Sequence, residues 1–138
     1  MRLRALSDTR GAAAIEFAIL APVFLLIVFT MIGYGIYLAA SHSVQQLTAD
    51  AARTALAGLT ESERTRLADD YIRGTADDYA FLDKNRFHVS VSDDRNSPNQ
   101  FTVAISYDAS ALPIWNLYTF VMPNQRIDRH ATIRIGGL

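Results

Sequence analysis

Phe17 to Ala40 reads FAILAPVFLLIVFTMIGYGIYLAA, 24 residues without a Lys, Arg, Asp, Glu or His. At a rise of about 1.5 Å per residue this is a helix of roughly 36 Å, longer than the roughly 30 Å hydrocarbon core of a bilayer. In a chain of 138 residues, a buried helix of that length would find no layers to cover it. The stretch therefore predicts a membrane span. Arg2, Arg4 and Arg10 precede it with Asp8 alone against them, and the far side carries no charge until Asp50. By the positive-inside rule the N-terminus stays cytoplasmic and everything after about Ser41 is exported. A cleaved signal peptide, with Leu38-Ala39-Ala40 as its end, fits less well. The apolar run is about twice the usual h-region of roughly 7 to 15 residues, and Glu16 stands at its head.

The helical pattern continues past the span. Val44, Leu47, Ala51, Ala52, Ala55 and Leu56 recur at helical spacing, with Gln45, Gln46, Asp50 and Arg53 on other faces. Gly58 then ends the run, so Ala12 to Ala57 predicts one helix of about 70 Å, half in lipid and half an amphipathic stalk. Glu61 to Arg73 predicts a second helix, N-capped by Thr60 with Glu63 at the capping-box position. Thr75 to Leu82 adds a further helical turn or two. Beyond Asn85 the apolar period falls to two: Phe87, Val89, Val91; then Phe101, Val103, Ile105, Tyr107; then Ile127, Arg129, Ala131, Ile133, Ile135. Asp93 to Asn99 is rich in turn formers and joins the first two strands as a hairpin. Ala109 to Arg126, holding Pro113 and Pro123, is too long for a tight turn. The predicted class is α+β: a long N-terminal transmembrane helix continuing as a stalk, with a small head of one or two short helices and a three-stranded antiparallel sheet. The divisions fall at residues 1–11, 12–57 and 58–138. A head of this size without disulfides needs an apolar surface to lie on, and the stalk offers one.

Composition excludes several function classes. Thirteen Lys and Arg balance 14 Asp and Glu, leaving no basic surplus to displace counterions from nucleic acid. With no cysteine there is no disulfide framework, thiolate metal site or cysteine nucleophile. GxSxG, HExxH and P-loop motifs do not occur, and Gly33 and Gly35 begin a dinucleotide fingerprint that Leu38 breaks inside the apolar run. His88 and His130 share the polar parity of their strands and read as surface residues, although paired strands would bring them together. Asp93, Asp94 and Asn96 read as a solvated hairpin tip. The doublets Asp69-Asp70 and Asp77-Asp78 read as solvated helix faces. No catalytic residue and no cofactor is expected.

The informative cluster is Arg10-Gly11-Ala12-Ala13-Ala14-Ile15-Glu16-Phe17. A carboxylate at the head of an apolar helix costs on the order of 2 to 3 kcal/mol if driven to the bilayer centre, so it marks a functional residue whose partner must be named. Basic leader, Gly, four small or aliphatic residues, Glu-Phe and a long apolar helix closely resemble the processing site of type IV filament prepilins. There a membrane aspartyl peptidase cuts after the Gly, and a Glu becomes the fifth mature residue. Counted from Ala12, Glu16 is fifth. The Glu-Phe pair, the Ala-Pro-Val before the aliphatic block, and Asp50-Ala51-Ala52-Arg53 resemble the TadE-like pseudopilins of the Tad (tight adherence, Flp) system, over roughly residues 10 to 57.

The resemblance implies that residues 1–11 are a leader, that the peptidase cuts between Gly11 and Ala12, and that Glu16 and Phe17 serve processing and assembly. It also implies a non-enzymatic minor pilin. Its partners would be the prepilin peptidase, a companion minor pilin, the major Flp-type pilin, the inner-membrane assembly platform and membrane lipid. The protein would sit in the inner membrane and then in a filament; an uncleaved anchor whose exported head binds an envelope partner is the alternative. In the family the Glu is thought to pair with the new amine of a neighbouring subunit. Independently of the resemblance, a Gly presents backbone to a peptidase without side-chain hindrance. Ala14 and Ala18, then Gly35, Ala39 and Ser43, place small residues at every fourth position for close helix packing. Pro22 removes the hydrogen bond to the Ala18 carbonyl and is expected to bend or loosen the helix. Trp115, Tyr118 and Phe120, in the connection between Pro113 and Pro123, are candidate interface anchors, with completion of the head's own core as the rival role.

Overall fold

The computed structural model describes residues 9–116 and 123–136. Its first element, α1, is a single helix from Thr9 to Ala55 that passes through Pro22 without interruption. It starts earlier than expected, so Gly11 and Ala12 are helical. From Gly11 to Ile32 not one residue is buried. The C-terminal half is different in kind. Ala40, Val44, Leu47, Ala51, Ala52 and Ala55 are fully shielded from solvent, one stripe at steps of three, four and one that faces the head. Alanine dominates that stripe, which lets neighbouring elements approach the helix axis closely. Thr48 sits in the same buried face because its hydroxyl donates to the Val44 carbonyl at 2.6 Å, satisfying a group that would otherwise be costly to bury.

Past α1, Leu56, Ala57 and Gly58 close the helix with i→i−3 hydrogen bonds, and α2 (Glu61–Thr75) begins at once. Thr60 caps it, its hydroxyl accepting from the Glu63 N–H at 3.2 Å. The Glu63 carboxylate reaches back to the Leu59 N–H at 2.9 Å, one residue before the position of a reciprocal capping box. Of the helical turns expected over Thr75 to Leu82, a single 3-10 turn at Ala76–Asp78 forms.

The strands are β1 (Phe87–Asp93), β2 (Gln100–Asp108) and β3 (Arg126–Arg134), in antiparallel order β1-β2-β3. Val91 opposes Val103, and Val103 opposes Ala131. The inner face of β2 carries Phe101, Val103, Ile105 and Tyr107, all buried, and meets Ile127 of β3, Ala68 and Ile72 of α2, and the α1 stripe in one core. Each such large side chain taken fully out of water contributes roughly 1.5 to 3 kcal/mol. That burial holds the head to the stalk. The outer face of the sheet is small and polar, and the Thr102 and Thr132 hydroxyls meet across it at 2.9 Å.

The connection after β2 turns inward. The Ala109 N–H donates to the Gln125 carbonyl at 2.7 Å, closing its neck, while Leu112 and Ile114 enter the core. Tyr118 and Phe120 lie outside the described residues, as do residues 1–8.

Candidate functional site

Three places carry the residues singled out above: the N-terminal end of α1, the joint between stalk and head, and the outer face of the sheet.

At the N-terminal end, Gly11, Ala12 and Glu16 are exposed, and Phe17 keeps 73% of its surface in contact with surroundings rather than with the protein. Ala12 and Glu16 stand one helical turn apart on the same side. Among the described residues the ion pairs lie at the end of the stalk and in the head, and Glu16 takes part in none of them. A carboxylate on an apolar, uncovered helix thus has no ion-pair partner among the described residues of its own chain. Ala14, Ala18, Gly35 and Ala39 are also exposed, Ser43 is half-buried, and a Cβ at Gly35 would meet nothing within 4 Å. This small-residue surface is open from Ala14 to Ala39 and partly covered at Ser43. Around Pro22, Phe17, Leu20, Ala21, Phe24 and Leu25 line a shallow, almost wholly apolar groove.

At the joint, Arg64 of α2 is buried although the sequence shows it as one more charge in a solvated helix. Its Nε donates to the Gly58 carbonyl at 3.1 Å, its Nη1 meets Asp93 of β1 at 2.5 Å, and its guanidinium lies 4.8 Å from the Phe101 ring centre. The sequence does hold a signal for this: Arg64, Ala68 and Ile72 fall at intervals of four, on the buried stripe of α2. Lower down, Trp115 is half-buried. Its indole N–H donates to the Ala109 carbonyl at 2.6 Å, and its ring meets Tyr37 of α1 edge-on at 6.5 Å between centres. The Tyr37 hydroxyl donates to the Asn124 carbonyl at 3.3 Å. One turn further along α1, Arg129 of β3 donates to the Ser41 hydroxyl. These contacts tie both ends of the long connection, and the last strand, to the upper part of the apolar run.

On the outer face, His88 lies opposite Ser106 and His130 opposite Ala104. β2 runs between their strands, so two strand spacings and a two-residue offset set their Cα atoms about 12 Å apart, and both border one open pocket on that face. Among the described residues no cluster of three His, Asp or Glu is arranged to hold a metal. The acidic groups serve structure instead. Asp94 accepts from the Asn96 N–H at 2.8 Å, and Asp69 pairs with Arg73 at 2.6 Å. Asp77 pairs with Lys84 at 2.7 Å, and that lysine holds its carboxyl below the usual carboxylate range. Ser110 does the same for Asp108, helped by Arg86; Ser106 does so for Asp128, helped by Arg126.

With this geometry in place, residues 11–53 match the TadE-like protein family. The match covers α1 from its exposed N-terminal part to two residues before its end, and none of the head. No curated protein and no solved structure matches the chain.

Proposed function

We propose, from a single-pass helix whose residues 11–53 are TadE-like, that this protein is a non-enzymatic minor pilin or pseudopilin of a Tad-type pilus. A prepilin peptidase cuts between Gly11 and Ala12, and the mature helix joins a companion minor pilin and the first major Flp-type subunits at the assembly platform. The head is exported to the periplasmic side. The observation that carries this reading is the family match over a helix that presents Gly11, Ala12, Glu16 and Phe17 outward, clear of the head. The exposed Glu16 suits pairing with an amine of another subunit, because in low dielectric losing one partner of such a pair typically costs about 3 to 5 kcal/mol.

A helical Gly11 favours one other reading. A peptidase needs an extended backbone, so α1 must unwind its first turns before cleavage, and a helix that stays wound would leave an uncleaved anchor whose head binds an envelope partner. N-terminal sequencing or intact mass of the protein extracted from membranes separates the two. A chain that starts at Ala12 supports the pilin; one that starts at Met1 supports the anchor.

A further inference from the structure

The apolar run of α1 and the head overlap, and their overlap defines a level in the bilayer. Counted from Phe17, the roughly 20 residues needed to cross the hydrocarbon core reach Ile36. The next residue is Tyr37. It is here that the head first touches the helix in force: Ile36 and Tyr37 are half-buried against the head's core, and Tyr37 holds both Trp115 and the Asn124 carbonyl. Ser41 and His42 follow four and five residues later, about 6 to 8 Å further along the axis. The headgroup layer on each side of a bilayer is about 5 to 7 Å thick. Arg129 is fixed at that height by Ser41, and Leu38, Ser41, His42 and Arg129 border a small open pocket. Among the described residues Arg129 joins no salt bridge.

We infer that this collar is a lipid-docking surface: Trp115 and Tyr37 lie at the hydrocarbon boundary of the leaflet on the head's side, and Arg129 with His42 takes a phospholipid phosphate. The arrangement reproduces the two devices by which membrane proteins fix their depth. Amphipathic aromatic rings settle at the interface, and a cation just outside them meets the phosphate layer. The guanidinium retains donors after its bonds to Ser41 and the Asp128 carbonyl, and a phosphate offers the acceptors that match them. Continuity with the apolar run of α1 and the positive charge of Arg129 both suit a lipid as the occupant. The head therefore lies on the membrane surface rather than standing off it. This inference rests on α1 crossing a bilayer and is independent of any pilus role, so failure of cleavage at Gly11 leaves it standing.

Trp115 is the sole tryptophan of the chain, so its fluorescence reports on this surface alone. The test is the full-length protein in vesicles of phosphatidylethanolamine and phosphatidylglycerol, with nitroxide groups placed at shallow or deep acyl positions. We expect shallow nitroxides to quench Trp115 more strongly than deep ones. Arg129→Gln removes a contact worth up to about fivefold in the affinity of this surface for the membrane and should lower the ratio of shallow to deep quenching. His42→Glu, at an exposed helix position that no core packing needs, should lower it in the same direction and keeps the test decisive if Arg129→Gln unfolds the head. Emission indifferent to both nitroxides, or a ratio unchanged by His42→Glu, overturns the proposal. So does shallow quenching that vanishes as protein is concentrated in the bilayer, which assigns the surface to a second copy of the chain.

Discussion

The peptide nitrogen of Arg64 stands so near Gly58 that a Cβ placed on the glycine would lie 2.8 Å from it and 2.9 Å from the Arg64 Cγ. The chain reverses here between the end of α1 and the first turn of α2, and backbone cannot retreat as a flexible side chain can. Gly58→Ala should therefore destabilise the head by about 1 to 3 kcal/mol. Gly74, in α2, provides the contrast, since a methyl group there would meet nothing within 4 Å. Gly74→Ala should stabilise by about 0.5 to 1 kcal/mol through reduced backbone entropy. Thermal melts of the two variants in detergent decide the matter, and equal midpoints would refute the close-approach argument.

Arg64 owes its burial to packing as much as to charge. Its side chain retains 10% exposure while that of Asp93 retains 47%, so solvent screens the ion pair from the carboxylate side. Arg64→Ala removes the cover over Phe101 and leaves the Gly58 carbonyl without this donor, a loss of about 2 kcal/mol. Asp93→Asn should cost below about 1 kcal/mol. Chemical denaturation of both variants should rank them in that order; a larger loss from Asp93→Asn would mean that the ion pair, and not the packing, holds the joint.

Processing and assembly should separate along α1. Gly11→Val puts a β-branched side chain at the proposed cleavage site and should leave full-length chain in the membrane, whereas Ala13→Ser should mature normally. Glu16 lies beyond that site. Glu16→Gln should still be cut, at least in part, yet fail to support filaments, which electron microscopy counts directly. Full filament numbers in Glu16→Gln would reduce Glu16 to an interfacial residue.

Head stability should fall at both extremes of pH. Asp108 and Asp128 have carboxyls held below the usual range by Ser110 and Ser106 in turn, with Arg86 and Arg126 assisting. A depressed folded-state pKa contributes stability that is present above the unfolded value of about 3.9 and is lost as pH falls through the folded one. Burial raises the Tyr107 phenol, whose hydroxyl donates to the Phe81 carbonyl at 3.2 Å. That contribution is complete below the unfolded value of about 10 and disappears as pH rises through the folded one. Melting temperatures should thus drop below about pH 4 and drop again above about pH 10. In Tyr107→Phe the alkaline arm should weaken while the acid arm persists.

The helix and the three strands are legible in order because each follows from local periodicity. An uninterrupted apolar run must be helical in lipid to satisfy its backbone, and a two-residue alternation places one face of each strand inward. The Gly11-to-Glu16 cluster is likewise read from spacing along the chain, and it falls within the residues that match the TadE-like family. Local pattern cannot supply what happens between elements. That β2 separates His88 from His130 is a matter of strand order, which alternation leaves free. Arg64 reads as solvated because its neighbours in sequence are charged, while its neighbours in space are Phe101 and the Gly58 carbonyl. Trp115 admits two roles on sequence grounds, and the fold sets its indole against Tyr37 and the Ala109 carbonyl. Spacing along the chain is thus enough for the spanning helix, its apolar limits and the strands of the head. The height at which the head meets that helix comes from folding instead. Packing of the long connection against Tyr37 and of Arg129 against Ser41 joins residues about 80 to 90 positions apart, a distance over which chain entropy leaves local preference no say.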